Sequence, residues 1–225
     1  MLRKLETDGL DCLCCPSDNK DRIVYILYPM DTLAGWIEPA AAKYNTTIVV
    51  ITGMDWQNAF SPWPAKGVPE GSPDFKGESP AFLEILQHSV IPCVERGLGF
   101  SPAPERTLIG VSMSGLFALW QWMQSDAFTN IACLSGSFWY EDFAEWIKTV
   151  RIPSKNGRAY FLLGDREARS KVKAFATVAD KTQEVIALLH GAGIATEFQL
   201  VPGTHYSHPL ERLDLAFTAL GCPAS

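Results

Sequence analysis

Thr107-Leu108-Ile109-Gly110-Val111-Ser112-Met113-Ser114-Gly115-Leu116 joins an apolar, β-type run directly to a helical pattern. The junction reads Gly-x-Ser-x-Ser-Gly, with Gly110 before the central serine and Ser114 and Gly115 after it. A strand that turns at once into a helix tolerates only small neighbours, and it leaves the serine hydroxyl exposed at the end of a sheet. This is the pattern of a nucleophile elbow. It also aims the Met113 backbone N–H at the space in front of Ser112. The elbow therefore predicts a serine hydrolase, and it requires a histidine and an acid elsewhere in the chain.

Working outward, strand-like and helix-like stretches alternate. Ile23–Tyr28, Thr47–Thr52, Thr107–Val111, Asn130–Ser135, Arg158–Leu163 and Thr196–Val201 read as strands, several of them rich in β-branched residues. Between and after them, helices are predicted over 31–44, 79–98, 113–124, 141–150, 170–190 and 209–220. Pro92 is expected to kink the second of these. Residues 53–79 read as a long loop rich in Gly, Pro and Trp. The alternation implies an α/β fold with a mostly parallel central sheet, helices on both faces and no large cap domain. A single domain over 1–225 is expected, with residues 1–22 adding antiparallel edge strands. Ligands of such sheets bind beyond the C-terminal strand ends, where Ser112 falls.

The remaining site residues follow from chain order, which in α/β-hydrolases runs nucleophile, acid, histidine. His88 and His190 lie inside helical patterns. His205 stands just after the last strand, in Pro202-Gly203-Thr204-His205, and is favoured as general base over His208, which precedes the final helix. The acid is expected after the preceding strand, in Gly164-Asp165-Arg166-Glu167. Glu167 is favoured by the Gly-x-x-acid spacing, with Asp165 as the alternative. The oxyanion hole needs two backbone donors. Met113 supplies one, and the loop Tyr28-Pro29-Met30-Asp31 the other; Pro29 has no N–H, so Met30 or Asp31 must donate. Trp56, Trp63, Phe138 and Trp139 leave strands at the same end, either as substrate walls or as loop anchors.

Composition narrows the function classes. The 225 residues carry a net charge of −6, with 47% hydrophobic and 20% charged residues. No basic patch stands out to meet nucleic-acid phosphates. The first residues have no apolar core of a signal peptide, and no run is long enough to span a bilayer. Six cysteines without a secretory signal read as reduced thiols, so a cytoplasmic location is expected. Cys12, Cys14 and Cys15 lack nearby partners to complete a tetrahedral metal site, and no metal is expected.

The elbow Gly110-Val111-Ser112-Met113-Ser114-Gly115-Leu116 resembles that of the Putative esterase family of α/β-hydrolases. That family includes esterase D, enterochelin (siderophore) esterases, feruloyl and acetyl-xylan esterases and the mycolyltransferases. Ser135-Gly136-Ser137-Phe138-Trp139-Tyr140, Gly164-Asp165-Arg166-Glu167 and Pro202-Gly203-Thr204-His205-Tyr206 with Arg212 downstream are similar as well. So is the loop with Trp56 and Ser61-Pro62-Trp63-Pro64. The resemblance implies an α/β-hydrolase fold, no cofactor, and ester hydrolysis or acyl transfer with Ser112 as nucleophile and His205 as base. Some members resemble a Ser–His dyad, which leaves the acid open. One departure is Ser114, where the family usually has glycine.

The expected activity is thus that of a serine carboxylic-ester hydrolase working through an acyl-enzyme. Its substrate would be a small acyl ester or one borne on a carbohydrate or siderophore. The alternatives are an acyltransferase and a catalytically silent binding protein on the same fold. The expected partner is a small-molecule ester, with no nucleic acid and no membrane; homo-oligomerisation is left open.

Overall fold

Strand β3, Arg22–Leu27, shows why the sequence builds a central sheet. Ile23, Val24, Tyr25, Ile26 and Leu27 are at most 1% exposed. Ile23, Tyr25 and Leu27 enter the core on one face, and Val24 and Ile26 the core on the other. A strand buried on both faces needs apolar side chains throughout, and each such side chain contributes about 1.5–3 kcal/mol. The computed structural model describes residues 2–29, 33, 35–153 and 155–222.

In chain order the elements before the elbow begin with β1 (Arg3–Thr7), β2 (Leu10–Cys15), β3, α1 (Ile37–Lys43) and β4 (Thr47–Thr52). They continue with α2 (Trp56–Ala59), β5 (Pro64–Ala65), β6 (Phe75–Lys76), α3 (Ser79–Ile85) and α4 (Ile91–Gly97). After these come β7 (Glu105–Val111), α5 (Met113–Gln124), β8 (Asn130–Leu134), α6 (Phe143–Thr149), β9 (Arg158–Gly164), α7 (Lys173–Ala176), α8 (Val178–Gly191), β10 (Ala195–Val201) and α9 (Pro209–Ala219).

The main sheet has eight strands in the order β1-β2-β4-β3-β7-β8-β9-β10. β4, β3, β7, β8, β9 and β10 run parallel, while β1 and β2 pair antiparallel at one edge. Val111 is in register with Leu134, and Val201 with Gly164. The ends of β7, β8, β9 and β10 therefore open on one rim. Buried residues of α3, α4, α5, α6 and α8 pack on one face of the sheet, and those of α1 and α9 on the other.

Several predicted helices are shorter or broken, each for a local reason. Of the expected helix over 31–44, residues 31, 32 and 34 lie outside the described ones; the helix described is Ile37–Lys43, with Pro39 in its first turn, where proline is tolerated. The expected helix over 79–98 is interrupted by a π-turn at Leu86–Val90. Pro92 lacks the N–H that would reach back to His88, and the helix widens just before it. The expected helix over 170–190 divides into α7 and α8 at Thr177, whose hydroxyl donates to the Ala174 carbonyl at 2.7 Å. In the long loop, Asp55 caps the short helix α2 by accepting from Asn58 N.

Cys12 and Cys14 are fully buried along β2, and burial pushes both thiols up to about 12. They act as packing groups. Among the described residues no cluster of three or more His, Cys, Asp or Glu side chains could hold a metal ion. No helix among them is long and apolar enough to cross a membrane.

The elbow depends on close backbone approach. A Cβ on Gly110 would lie 2.1 Å from the Ser114 carbonyl oxygen. Because the obstacle is backbone, Gly110→Ala is expected to lower unfolding free energy by about 1–3 kcal/mol, measured by urea titration. A variant as stable as the wild type would contradict this packing.

Candidate active site

Ser112 links β7 to α5 with φ +57° and ψ −122°, a left-handed conformation costly for a residue with a Cβ. Its N–H donates to Leu134 O at 3.0 Å, and its carbonyl accepts from Ser137 N at 3.0 Å. The elbow is thus fastened to the end of β8. The Ser112 Oγ lies 3.3 Å from Ser137 Oγ. Met113 opens α5, and its N–H is among the first-turn donors that a helix leaves without an intrahelical acceptor.

Ser114 is fully buried, and its role follows from its hydroxyl. The Oγ accepts from Val111 N at 2.7 Å and lies 2.7 Å from Leu27 O and 2.9 Å from Val111 O. A glycine there would leave that space without a polar tie. The serine connects the elbow to the end of β3, from which the predicted oxyanion loop departs.

Glu167 and His205 lie in contact. Glu167 follows β9 in a single 3₁₀ turn, Glu167–Arg169, and its Oε2 lies 2.9 Å from His205 Nδ1. Its Oε1 accepts from Ser135 Oγ at 2.6 Å, Gly164 N at 2.7 Å and Arg212 Nη1 at 3.1 Å. Burial alone would push this carboxyl up. The hydrogen bonds from His205, Ser135 and Gly164, with the charge of His205, outweigh it and hold the group below its ordinary value of 4.5. Asp165 does different work: its Oδ1 accepts from Gly203 N at 2.8 Å and braces the two loops against each other. His208 sits at the N-terminus of α9 with φ +52°, 3.5 Å from Glu211, on an exposed side chain.

Ser112, Glu167 and His205 all line one cavity of about 450 Å³, together with Trp139, Phe175 and Tyr206. Of the aromatics singled out in the sequence, only Trp139 borders it. Phe138 points into the core, with its ring centroid 5.8 Å from those of Phe143 and Phe161. Trp56 packs edge-on against Phe60. Trp63 packs among Tyr140, Phe143 and Trp146 and donates to Glu141 O at 3.1 Å. These three anchor the loops that carry them. Met30 and Asp31 lie outside the described residues.

Ser135, Ser137 and Arg212 belong to the stretches that carry the family resemblance, and the structure gives each a contact at this site. Ser135 and Ser137 follow β8, the neighbour of β7. Arg212 is the fourth residue of α9. It is 4% exposed, and its Nη1 donates to Ser135 Oγ at 2.6 Å and its Nη2 to Thr204 O at 2.7 Å. One guanidinium thus spans the loops after β8, β9 and β10.

The sheet order, the elbow and the strand-end site define an α/β-hydrolase fold. A model of the family described as Putative esterase matches residues 26–209, and the chain belongs to that family. Membership supports ester hydrolysis. Uncharacterized protein YbbA of Bacillus subtilis (strain 168) is 28% identical over 169 residues, 73% of this chain and 67% of that one. The fold is similar to an IroE-like serine hydrolase from Shewanella oneidensis, with a TM-score of 0.76 at 16% identity, covering 95% of this chain and 77% of the other. It is also similar to the siderophore hydrolase EstB from Aspergillus nidulans, with a TM-score of 0.75 at 16% identity, covering 97% and 93%.

Two stability measurements test this cluster. Arg212→Met leaves Glu167 buried without its guanidinium and should lower unfolding free energy by about 3–5 kcal/mol in urea titrations. A loss within the noise of the titration would mean that the ion pair adds nothing. The pH dependence follows from the lowered carboxyl of Glu167. A group whose value is depressed on folding stabilises the protein above its unfolded value, and that contribution is lost as pH falls through the folded one. The stability gap between wild type and Glu167→Gln should therefore narrow from about pH 6 to about pH 3. A gap that widens toward acid would reverse the assignment.

Proposed function

We propose that this protein is a serine carboxylic-ester hydrolase in which Ser112 is the nucleophile, His205 the general base and Glu167 the acid that orients it. The observation that carries the reading is the 2.9 Å contact between Glu167 Oε2 and His205 Nδ1, in the cavity that Ser112 also lines. A carboxylate on Nδ1 fixes the tautomer whose Nε2 lone pair is free to accept a proton, and it stabilises the imidazolium that follows. In the cycle, His205 takes the Ser112 proton as the hydroxyl oxygen attacks the ester carbonyl. The oxyanion is held by Met113 N–H and by a second donor from Met30 or Asp31, each donor typically contributing about 3 kcal/mol. The tetrahedral adduct collapses to the acyl-enzyme as His205 protonates the leaving alcohol. Water, deprotonated by His205, then releases the acid and restores Ser112.

The relative EstB is a siderophore hydrolase by name, which supports a siderophore-borne ester alongside small acyl and carbohydrate-borne esters as substrates. The deciding measurement is hydrolysis of 4-nitrophenyl acetate and butyrate by wild type and Ser112→Ala. Loss of kcat by about a thousandfold or more is expected; equal turnover would remove Ser112 from the mechanism. His205→Ala should lose activity similarly, and His208→Ala should not. Because an imidazolium cannot accept the serine proton, the rate should fall on acidification. A profile flat from about pH 5 to about pH 8 would count against a histidine base.

A further inference from the structure

Two arginines border the cavity and have no part in the proposed proton transfers. Arg166 and Arg169 line it beside Ser112 and His205. The charge of Glu167 is met from within by Arg212 and His205, so it does not neutralise them. Arg166 has Asp165 Oδ1 at 3.8 Å, and that carboxylate already accepts from Gly203 N. Among the described residues the Arg169 side chain has no hydrogen bond or ion pair. Lys171 and Lys173 follow, so 166–173 gathers four cations in a chain of net charge −6. Such a concentration runs against the overall balance of the protein.

The backbone beneath the arginines is held in place. Asp165 N donates to Val201 O at 2.8 Å, Arg166 N to Gly203 O at 3.0 Å and Arg169 N to Arg166 O at 3.1 Å. The other lining is largely apolar: Trp139 and Phe175 rings lie 4.7 Å apart, Val178 is buried beside them, and Tyr206 is 88% exposed. A neutral ester filling this cavity would satisfy the aromatics and give Arg169 no charged partner and Arg166 none beyond the distant Asp165. A carboxylate would occupy them, because the planar guanidinium fork matches its two oxygens and charge-assisted bonds strengthen where water is displaced.

We propose that Arg166 and Arg169 form an anion subsite next to Ser112, so that the preferred substrate is an ester carrying a carboxylate beside an apolar or aromatic group. As a kinetic statement this rests on the serine esterase reading above.

The test compares mono-4-nitrophenyl glutarate with neutral 4-nitrophenyl pentanoate, and 4-acetoxybenzoate with phenyl acetate. The first pair places the carboxylate on the acyl side and the second on the alcohol side. For wild type, Arg166→Gln, Arg169→Gln and the double variant, the readout is the kcat/KM ratio of the anionic to the neutral ester. In at least one pair the ratio should fall about fivefold for each single variant, and further in the double, chiefly through KM. Added salt should erode the wild-type ratio, since screening shortens to about 3 Å at 1 M. Ratios unchanged by all three variants in both pairs would overturn the subsite. If wild type turns over none of these esters, the esterase reading fails separately, and binding of 4-nitrobenzoate by calorimetry decides the subsite. Weaker binding to the double variant supports it, and equal binding overturns it.

Discussion

The Glu167 carboxylate is the constraint around which the strand-end rim is organised. It is buried, it is charged, and an unpaired charge in that position would be costly. It survives because Ser135, Gly164, His205 and Arg212 all direct polar atoms at it. These come from the ends of three adjacent parallel strands and from the final helix. Satisfying one carboxylate therefore fixes the relative position of loops that are far apart in sequence. The requirement is strict enough that Gly164 has no room for a Cβ, which would lie 2.5 Å from Gly203 O and 2.7 Å from Arg212 Nη2.

The elbow is a second centre, built on a different principle. Glu167 gathers its neighbours electrostatically, whereas Ser112 is held in an unfavourable backbone conformation by hydrogen bonds to β8 on one side and by the tight start of α5 on the other. The sheet order makes the two centres meet. β7 lies between β3 and β8, with β9 and β10 beyond, and parallel register brings their ends to one level. Ser112, His205 and Glu167 thus share one cavity.

The central parallel strands were legible because they are short apolar runs buried on both faces, and the elbow because its small residues stand at fixed offsets. Glu167 was readable from its distance to Gly164. Other features were hidden by packing. The pattern in β2 was weak because cysteines occupy alternate inward positions, where bulkier apolar residues would announce a strand. The break before Pro92 was expected from the proline, whereas the one at Thr177 depends on a single side-chain hydrogen bond rather than on apolar period. Trp56, Trp63 and Phe138 have the composition of a binding wall, and only tertiary contacts reveal them as anchors. Arg212 is a cation on the buried stripe of a helix, and nothing in its sequence neighbourhood names the carboxylate it will meet.

Ser114 has a further consequence for how variation in such elbows is judged. Its hydroxyl bonds with the backbone of β7 and reaches the last residue of β3. By volume alone, alanine, glycine and serine are interchangeable at a crowded turn. Here they are not, because only serine joins the turn at Ser112 to the end of β3. A sequence comparison that scores small residues as equivalent would count this position as neutral, although it couples two segments 87 positions apart in the chain.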